Sequence, residues 1–397
     1  MEDWTALVAG GAVHVVAEDI AAVHTGYMFG NLVAVKTGDG LVLIDSGSRD
    51  TGRQSLAALR SWCADAIHTI IYTHGHIDHT FGVHFYDEEA EVAGRSRPHV
   101  IAHRNVLNRF DRYDATHGFN SHVIGRQFSQ PGYAFPQPHR RPDEIYDGSL
   151  ERRIGGVQVQ LMHGRGETDD ATFVWLPERG VLASGDFVIW AFPNAGNPRK
   201  AQRHAADWAA ALRKMAALNP DVLIPGHGPA VCARERTQAI LGDGAQVLET
   251  LVSQTLERMN RGVALDEILR SVKAPEALLA KPYLLPKYDD PEFVVRGIWH
   301  CFGGWFDGNA ASLKPASAAE LAGEIAELSG GAERLAGRAK ELADAGSLRL
   351  AVHLAELAAA AASDNETVRR KRAHILRMAA DRECSLIGKA IYRSFAN

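Results

Sequence analysis

A chain of 397 residues with 46% apolar and 23% charged residues has the make-up of a soluble globular protein, long enough for more than one folded unit. Its formal charge of −5 argues against general binding to nucleic acid or anionic membranes, and no apolar run approaches the roughly 20 residues needed to span a bilayer. The four cysteines, Cys63, Cys232, Cys301 and Cys384, are far apart, so neither a disulfide framework nor a cysteine-zinc site is expected. The amino-terminal stretch "MEDWTALVAGGAVHVV" is acidic where a secretory signal would be basic; with the isolated cysteines, it points to the cytoplasm.

The first part of the chain reads as short strands separated by turns and a few helices. "LVAVKT" and "LVLID" flank "GDG" as a hairpin, and "SLAALRSWCADA" (Ser55 to Ala66) has helical spacing. "HTIIYTH" is a buried strand that runs into a histidine cluster, and "HVIAH" (His99 to His103) is another strand. From Arg104 to Tyr146 the chain is polar, aromatic and weakly periodic, an insertion of the kind that forms binding loops or lids. Strands resume at Val157 to Met162, Thr172 to Pro177, Val181 to Asp186 and Val222 to Gly228, with a helix from His204 to Leu218 before the last. From about Arg234 the pattern is helical. Four helices are predicted at the end, over Ala318–Leu328, Gly331–Ala345, Leu348–Ala362 and Glu366–Ile387, the last announced by the cap "SDNE". The basic run "VRRKRAH" (Val368 to His374) falls on that helix and reads as a solvated face.

The stretch "IIYTHGHIDHTFG" packs His74, His76, Asp78 and His79 into six residues at a strand end. Residues two apart on extended chain point the same way, so His74 and His76 can grip one ion. The chain then turns, and Asp78 and His79 can serve a second site. Imidazole and carboxylate are the ligand types of catalytic zinc, and crowding four such groups together without a metal would leave polar atoms in need of partners. Three further candidates follow strands: Glu167 in "HGRGETDD", Asp186 in "ASGDF", an acid able to bridge two ions, and His227 in "IPGHGP".

These residues resemble the metallo-β-lactamase superfamily, whose signature is "HxHxDH" at a strand end. The resemblance covers roughly Val15 to Val231 and implies an α/β fold, an αββα sandwich with a binuclear metal site at its edge. Glu167 stands where most of the superfamily has histidine, as in the alkylsulfatase branch. That branch carries an acidic bridge 19 residues further on, the distance from Glu167 to Asp186, although it normally uses glutamate there. Its sulfate-binding asparagine and arginine correspond to Asn194 and Arg199, eight and thirteen residues beyond Asp186. "RGIWHCFGGWFDGN" (Arg296 to Asn309) resembles a stretch that precedes the branch's helical dimerisation domain; the branch's usual sterol-carrier-like third domain is missing.

The resemblance implies a catalytic domain over residues 1–240 and an all-α dimerisation domain over 241–397. It implies one zinc on His74, His76 and Glu167 and another on Asp78, His79 and His227, bridged by Asp186, with Asp78 and Asp186 central to catalysis. The two ions would hold a hydroxide and clamp a small anionic ester, an alkyl sulfate foremost. A homodimer would form through the helical half. The alternatives are a hydrolase of lactones, phosphodiesters or β-lactams on the same scaffold, an iron oxygenase of the persulfide dioxygenase kind, or a non-catalytic scaffold.

Overall fold

The computed structural model describes residues 11–25, 30–128 and 130–396. Most of the acidic amino-terminal stretch discussed above lies outside them.

Two mixed sheets stack face to face. The first runs in chain order through β1 (Ala12–Ala17), β2 (Ile20–His24), β3 (Asn31–Thr37), β4 (Gly40–Ile44), β5 (Ile67–Ile71), β6 (His99–His103) and β7 (Glu144–Tyr146). The second has the order β12-β11-β10-β9-β8, built from β8 (Ser149–Ile154), β9 (Val157–His163), β10 (Thr172–Leu176), β11 (Val181–Gly185) and β12 (Val222–Pro225). β1 to β4 form an antiparallel meander, whereas β4 to β7 are parallel. In the second sheet β11 and β12 form the parallel pair.

Strands buried on both faces read as near-continuous apolar runs, which is how "NLVAV" and "GLVLI" look. Between the sheets Val33, Val35, Ile44, Ile71 and Ile101 meet Val159, Leu161, Val174, Leu176 and Ile224. The outer face of the first sheet is covered through Leu59, Val83, Tyr86 and Phe110 of the helices Gly52–Trp62, Val83–Val92 and Asn105–Ala115. The outer face of the second is covered by Ala205–Ala217 and Arg234–Asn260, which bury Trp208, Leu212, Leu241 and Leu248 against Phe173 and Leu182. Each such large apolar side chain contributes about 1.5–3 kcal/mol relative to exposure. The result is the expected αββα sandwich followed by a helical region.

Residue 240 lies inside the helix Arg234–Asn260, and the core over the second sheet extends to Val294, Val295 and Ile298 of the helix Pro291–Gly303. Two details differ from the sequence reading. The insertion 104–146 is partly regular: it holds the helices Asn105–Ala115 and His117–Gln127 and the short strand β7. Their polar, aromatic surfaces hid the helical period, because only one narrow side, with Val106, Phe110 and Tyr113, is buried. The last predicted helix ends at Arg382. The Ser385 side chain accepts from the Gly388 amide and starts a separate helix, Leu386–Phe395, that returns to pack on His117–Gln127.

The other tail helices, Ala318–Leu328, Ala332–Asp344, Leu348–Ala361 and Glu366–Arg382, follow the predicted spans closely. Ser317 and Glu320 close a capping box on the first. Ala336, Ala339, Ala343, Ala351, Ala355 and Ala358 are buried between them, so small side chains set a close packing distance. All four cysteines are unpaired. Among the described residues no helix is long and apolar enough to cross a membrane.

Candidate metal centre

The carboxyl ends of β4, β5, β11 and β12 open onto one edge of the sandwich, and the predicted ligands gather there. After β5 the chain delivers His74 and His76, then turns into the short helix Ile77–Thr80 that carries Asp78 and His79. Asp186 directly follows β11 and His227 lies just past β12. Gly226 makes this convergence feasible: a Cβ there would lie 2.0 Å from Asp186 Oδ1.

All seven predicted ligands fall into two clusters, His74, His76, Glu167 and Asp186 in one and Asp78, His79 and His227 in the other. In the first, His74 Nε2 is 2.8 Å from His76 Nδ1 and 3.5 Å from Asp186 Oδ2, and His76 Nδ1 is 3.4 Å from Glu167 Oε2. In the second, Asp78 Oδ2 is 3.6 Å from His79 Nε2 and 3.5 Å from His227 Nε2. Asp186 Oδ1 faces this cluster at 3.3 Å from His79 Nε2 and 3.5 Å from His227 Nε2. The two oxygens of Asp186 thus address different clusters.

These residues fit a metal. His79 Nε2 and Asp186 Oδ1 are buried without a hydrogen bond, an arrangement proteins avoid unless another group completes it. Donors bound tetrahedrally at about 2.0–2.1 Å from an ion stand about 3.3 Å apart, close to most of the spacings above. Electrostatics agree with a site built for cations. Burial disfavours the charged form of His79, yet the carboxylates of Asp186, Asp45 and Asp78 outweigh it and raise the imidazole well above its ordinary pKa. His74, buried and next to His79, is lowered well below. Burial would raise the Asp186 carboxyl, but His79, His227 and His74 hold it well below the usual carboxylate range.

Several positioning residues escaped the sequence reading. Asp45, just past β4, accepts from the Thr73 amide, the Thr73 hydroxyl and His79 Nδ1, each at 2.7 Å. A carboxylate on Nδ1 fixes the tautomer that leaves Nε2 free to accept a metal. Its place at the end of "LVLID" parallels that of Asp186 after "VLASG" and was a usable signal. Asp170, fully buried, accepts from the Gly75 amide at 2.8 Å and from Arg109 Nε at 2.8 Å, which braces the loop between His74 and His76.

Arg203 has no local motif. Its Nη1 lies 3.1 Å from Glu167 Oε1 with both side chains buried, and it also donates to the Asn194 carbonyl. Asn194 Nδ2 donates to the same Oε1, so Oε2 alone faces His76. Asn194, expected at the substrate, therefore touches a candidate ligand, Glu167, while its own Oδ1 is buried without a hydrogen-bond partner. Lys200 lies in the same loop, its ammonium lowered to about 8 by burial and by Arg203. Arg199 donates through Nη2 to Ser394 Oγ at 3.1 Å. The loop is strapped to the helical half: Gly196 N donates to buried Asp289 at 2.7 Å and Gln202 Nε2 to the Gly297 carbonyl at 3.0 Å.

Comparison with known proteins bears on this architecture. Residues 25–227 match the metallo-beta-lactamase superfamily, just over half of the chain. The chain belongs to this superfamily. Residues 264–397 match the alkyl sulfatase dimerisation family. Within the superfamily, the chain is 30% identical over 317 residues to a linear primary-alkylsulfatase of Pseudomonas sp. (strain ATCC 19151), covering 72% of this chain and 58% of that protein. It is 26% identical over 351 residues to an (R)-specific secondary-alkylsulfatase of Pseudomonas sp., covering 82% and 53%. The solved structure of a stereoselective inverting sec-alkylsulfatase from Pseudomonas sp. superposes on 97% of this chain and 64% of its own, with a TM-score of 0.81 at 24% identity. The chain thus spans little more than half the length of these curated relatives, and it shares the fold of that structure from the sandwich through the helical tail.

Proposed function

We propose that the protein is a zinc-dependent hydrolase of sulfate esters that works with two ions. His74, His76 and Glu167 would hold one, Asp78, His79 and His227 the other, and Asp186 would span them. The observation that carries this reading is the orientation of Asp186, whose two oxygens face separate clusters of donor atoms. Bound zinc would lower the pKa of a water and offset the charge of an anionic ester. The chain's own residues prepare for this. Asp45 orients His79, Asp170 braces Gly75, and Arg203 with Asn194 holds Glu167 by one oxygen so that the other faces the ion. The similarity to two alkylsulfatases supports a sulfate ester as substrate. Zinc-loaded protein should release inorganic sulfate from alkyl or aryl sulfates and leave lactones, phosphodiesters and β-lactams essentially untouched. Turnover confined to one of those neutral or phosphate classes would replace the reading with another hydrolase of the superfamily.

The helical half would join two copies into a homodimer, and the unpaired cysteines accord with a reducing compartment such as the cytoplasm. Phe302, Trp305, Leu313, Leu321 and Leu328 are exposed along it, Leu328 to 83%. Large apolar side chains left in solvent are available to an association surface. Light scattering at micromolar concentration should give twice the 43.1 kDa chain mass, whereas a monomer would contradict the assignment.

A further inference from the structure

The loop 192–203 carries both side chains that hold Glu167. Asn194 Nδ2 donates to Glu167 Oε1, and Arg203 Nη1 lies 3.1 Å from the same oxygen, which leaves Oε2 on the side of His76. Arg203 also donates to the Asn194 carbonyl, so the loop closes on itself. Among the described residues, every hydrogen bond that leaves this loop, apart from its contacts with Glu167, ends in the helical half. The Phe192 amide donates to the Leu285 carbonyl at 3.0 Å, Gln202 Nε2 to the Gly297 carbonyl at 3.0 Å, and His300 Nδ1 lies 2.8 Å from Gln202 Oε1.

Asp289 stands at the middle of these ties. Its Oδ2 accepts from the Gly196 amide at 2.7 Å and its Oδ1 from the Asp290 amide at 2.8 Å. The side chain is fully buried, and burial raises its carboxyl to about 7 against the pull of both amides and of Arg203. A buried carboxyl is costly where a neutral side chain would serve packing alone. The approach is also close. A Cβ at Gly196 would lie 2.2 Å from the Phe293 carbonyl carbon and the Val294 nitrogen, so the loop lies backbone to backbone on the start of the helix Pro291–Gly303. Asp289 belongs to the stretch that matches the alkyl sulfatase dimerisation family, yet it grips the loop that aims a candidate metal ligand.

We propose that Asp289 is a positioning residue for the candidate metal centre. By fixing Gly196 it sets Asn194 and Arg203, and through them keeps Glu167 Oε2 on the side of His76. The helical half thereby shapes one of the two metal sites. This role deepens the proposed function and rests on it for Glu167 as a ligand.

The test is calorimetric titration of the metal-free, full-length protein with zinc. Asp289→Ala should weaken one zinc equivalent roughly 10- to 100-fold, the scale for groups that orient metal ligands, and leave the other within about twofold. Asp289→Asn, which keeps one acceptor oxygen, should fall between Asp289→Ala and wild type. Gln202→Ala cuts another tie to the helical half and should act in the same direction more weakly. Urea midpoints establish which variants are folded; if Asp289→Ala is not, the other two decide. In a Glu167→Ala background Asp289→Ala should add no further loss, because the side chain it positions is gone. A role in packing alone would lower stability and leave both zinc affinities of the folded protein unchanged. Selective loss in a protein that takes up zinc but releases no sulfate would keep the positioning role and remove the proposed substrate. A wild type with a single equivalent that Asp289→Ala weakens would remove the two-ion reading alone. Unchanged zinc affinities in the folded variants, equal loss of both equivalents, an undiminished effect beside Glu167→Ala, or no zinc binding by the wild type would overturn the role of Asp289.

Discussion

Asp186→Asn should lose at least one of two bound zinc equivalents and most catalytic activity while keeping the fold. The substitution preserves shape but leaves one acceptor oxygen, so the residue can no longer present a negative oxygen to both clusters. Loss of an outer partner of a metal ligand costs roughly 10- to 100-fold in affinity or activity, and removal of a ligand shared by two ions should cost more. In the metal-free protein the same change leaves His79 and His227, both raised by Asp186, without the carboxylate that offsets their charge, so that form should also unfold more readily. Metal analysis of dialysed protein alongside turnover checks the expectation. Two equivalents retained with full activity would remove Asp186 from the centre.

Arg203→Ala should be the most destabilising change outside the ligands. It removes the guanidinium beside the buried Glu167 carboxylate, leaving the Asn194 amide and His76 next to it, and frees the Asn194 carbonyl as well. Breaking a buried ion pair from one side costs about 3–5 kcal/mol. In metal-free protein this should appear as a lower urea midpoint at unchanged slope. Arg203→Lys retains the charge on a shorter, differently shaped head and should recover part of the loss. An unchanged midpoint in Arg203→Ala would show that Glu167 is held by other means.

Much of the candidate centre was legible because its candidate ligands sit where strands end. His74, His76, Asp78 and His79 are contiguous, and Glu167, Asp186 and His227 each follow an apolar run within a few residues. The αββα layers followed from the same runs. What escaped was carried by long-range contacts without local pattern. Arg203 reaches Glu167 across 36 positions (203 minus 167) and Arg109 reaches Asp170 across 61. The return of Leu386–Phe395 onto His117–Gln127 depends on the Ser385 cap, a short signal inside what reads as one continuous helical period. Ile240, Leu241 and Leu248, on the helix that begins at Arg234, help cover the second sheet, a contact that helical spacing alone does not reveal.

The most direct measurement of the central claim is sulfate release during zinc titration of metal-free protein. The account predicts that turnover of an alkyl sulfate rises with added zinc and levels off at two equivalents per chain, with inorganic sulfate formed in step with the alcohol. A plateau at one equivalent, or hydrolysis that yields no inorganic sulfate under saturating zinc, would contradict it.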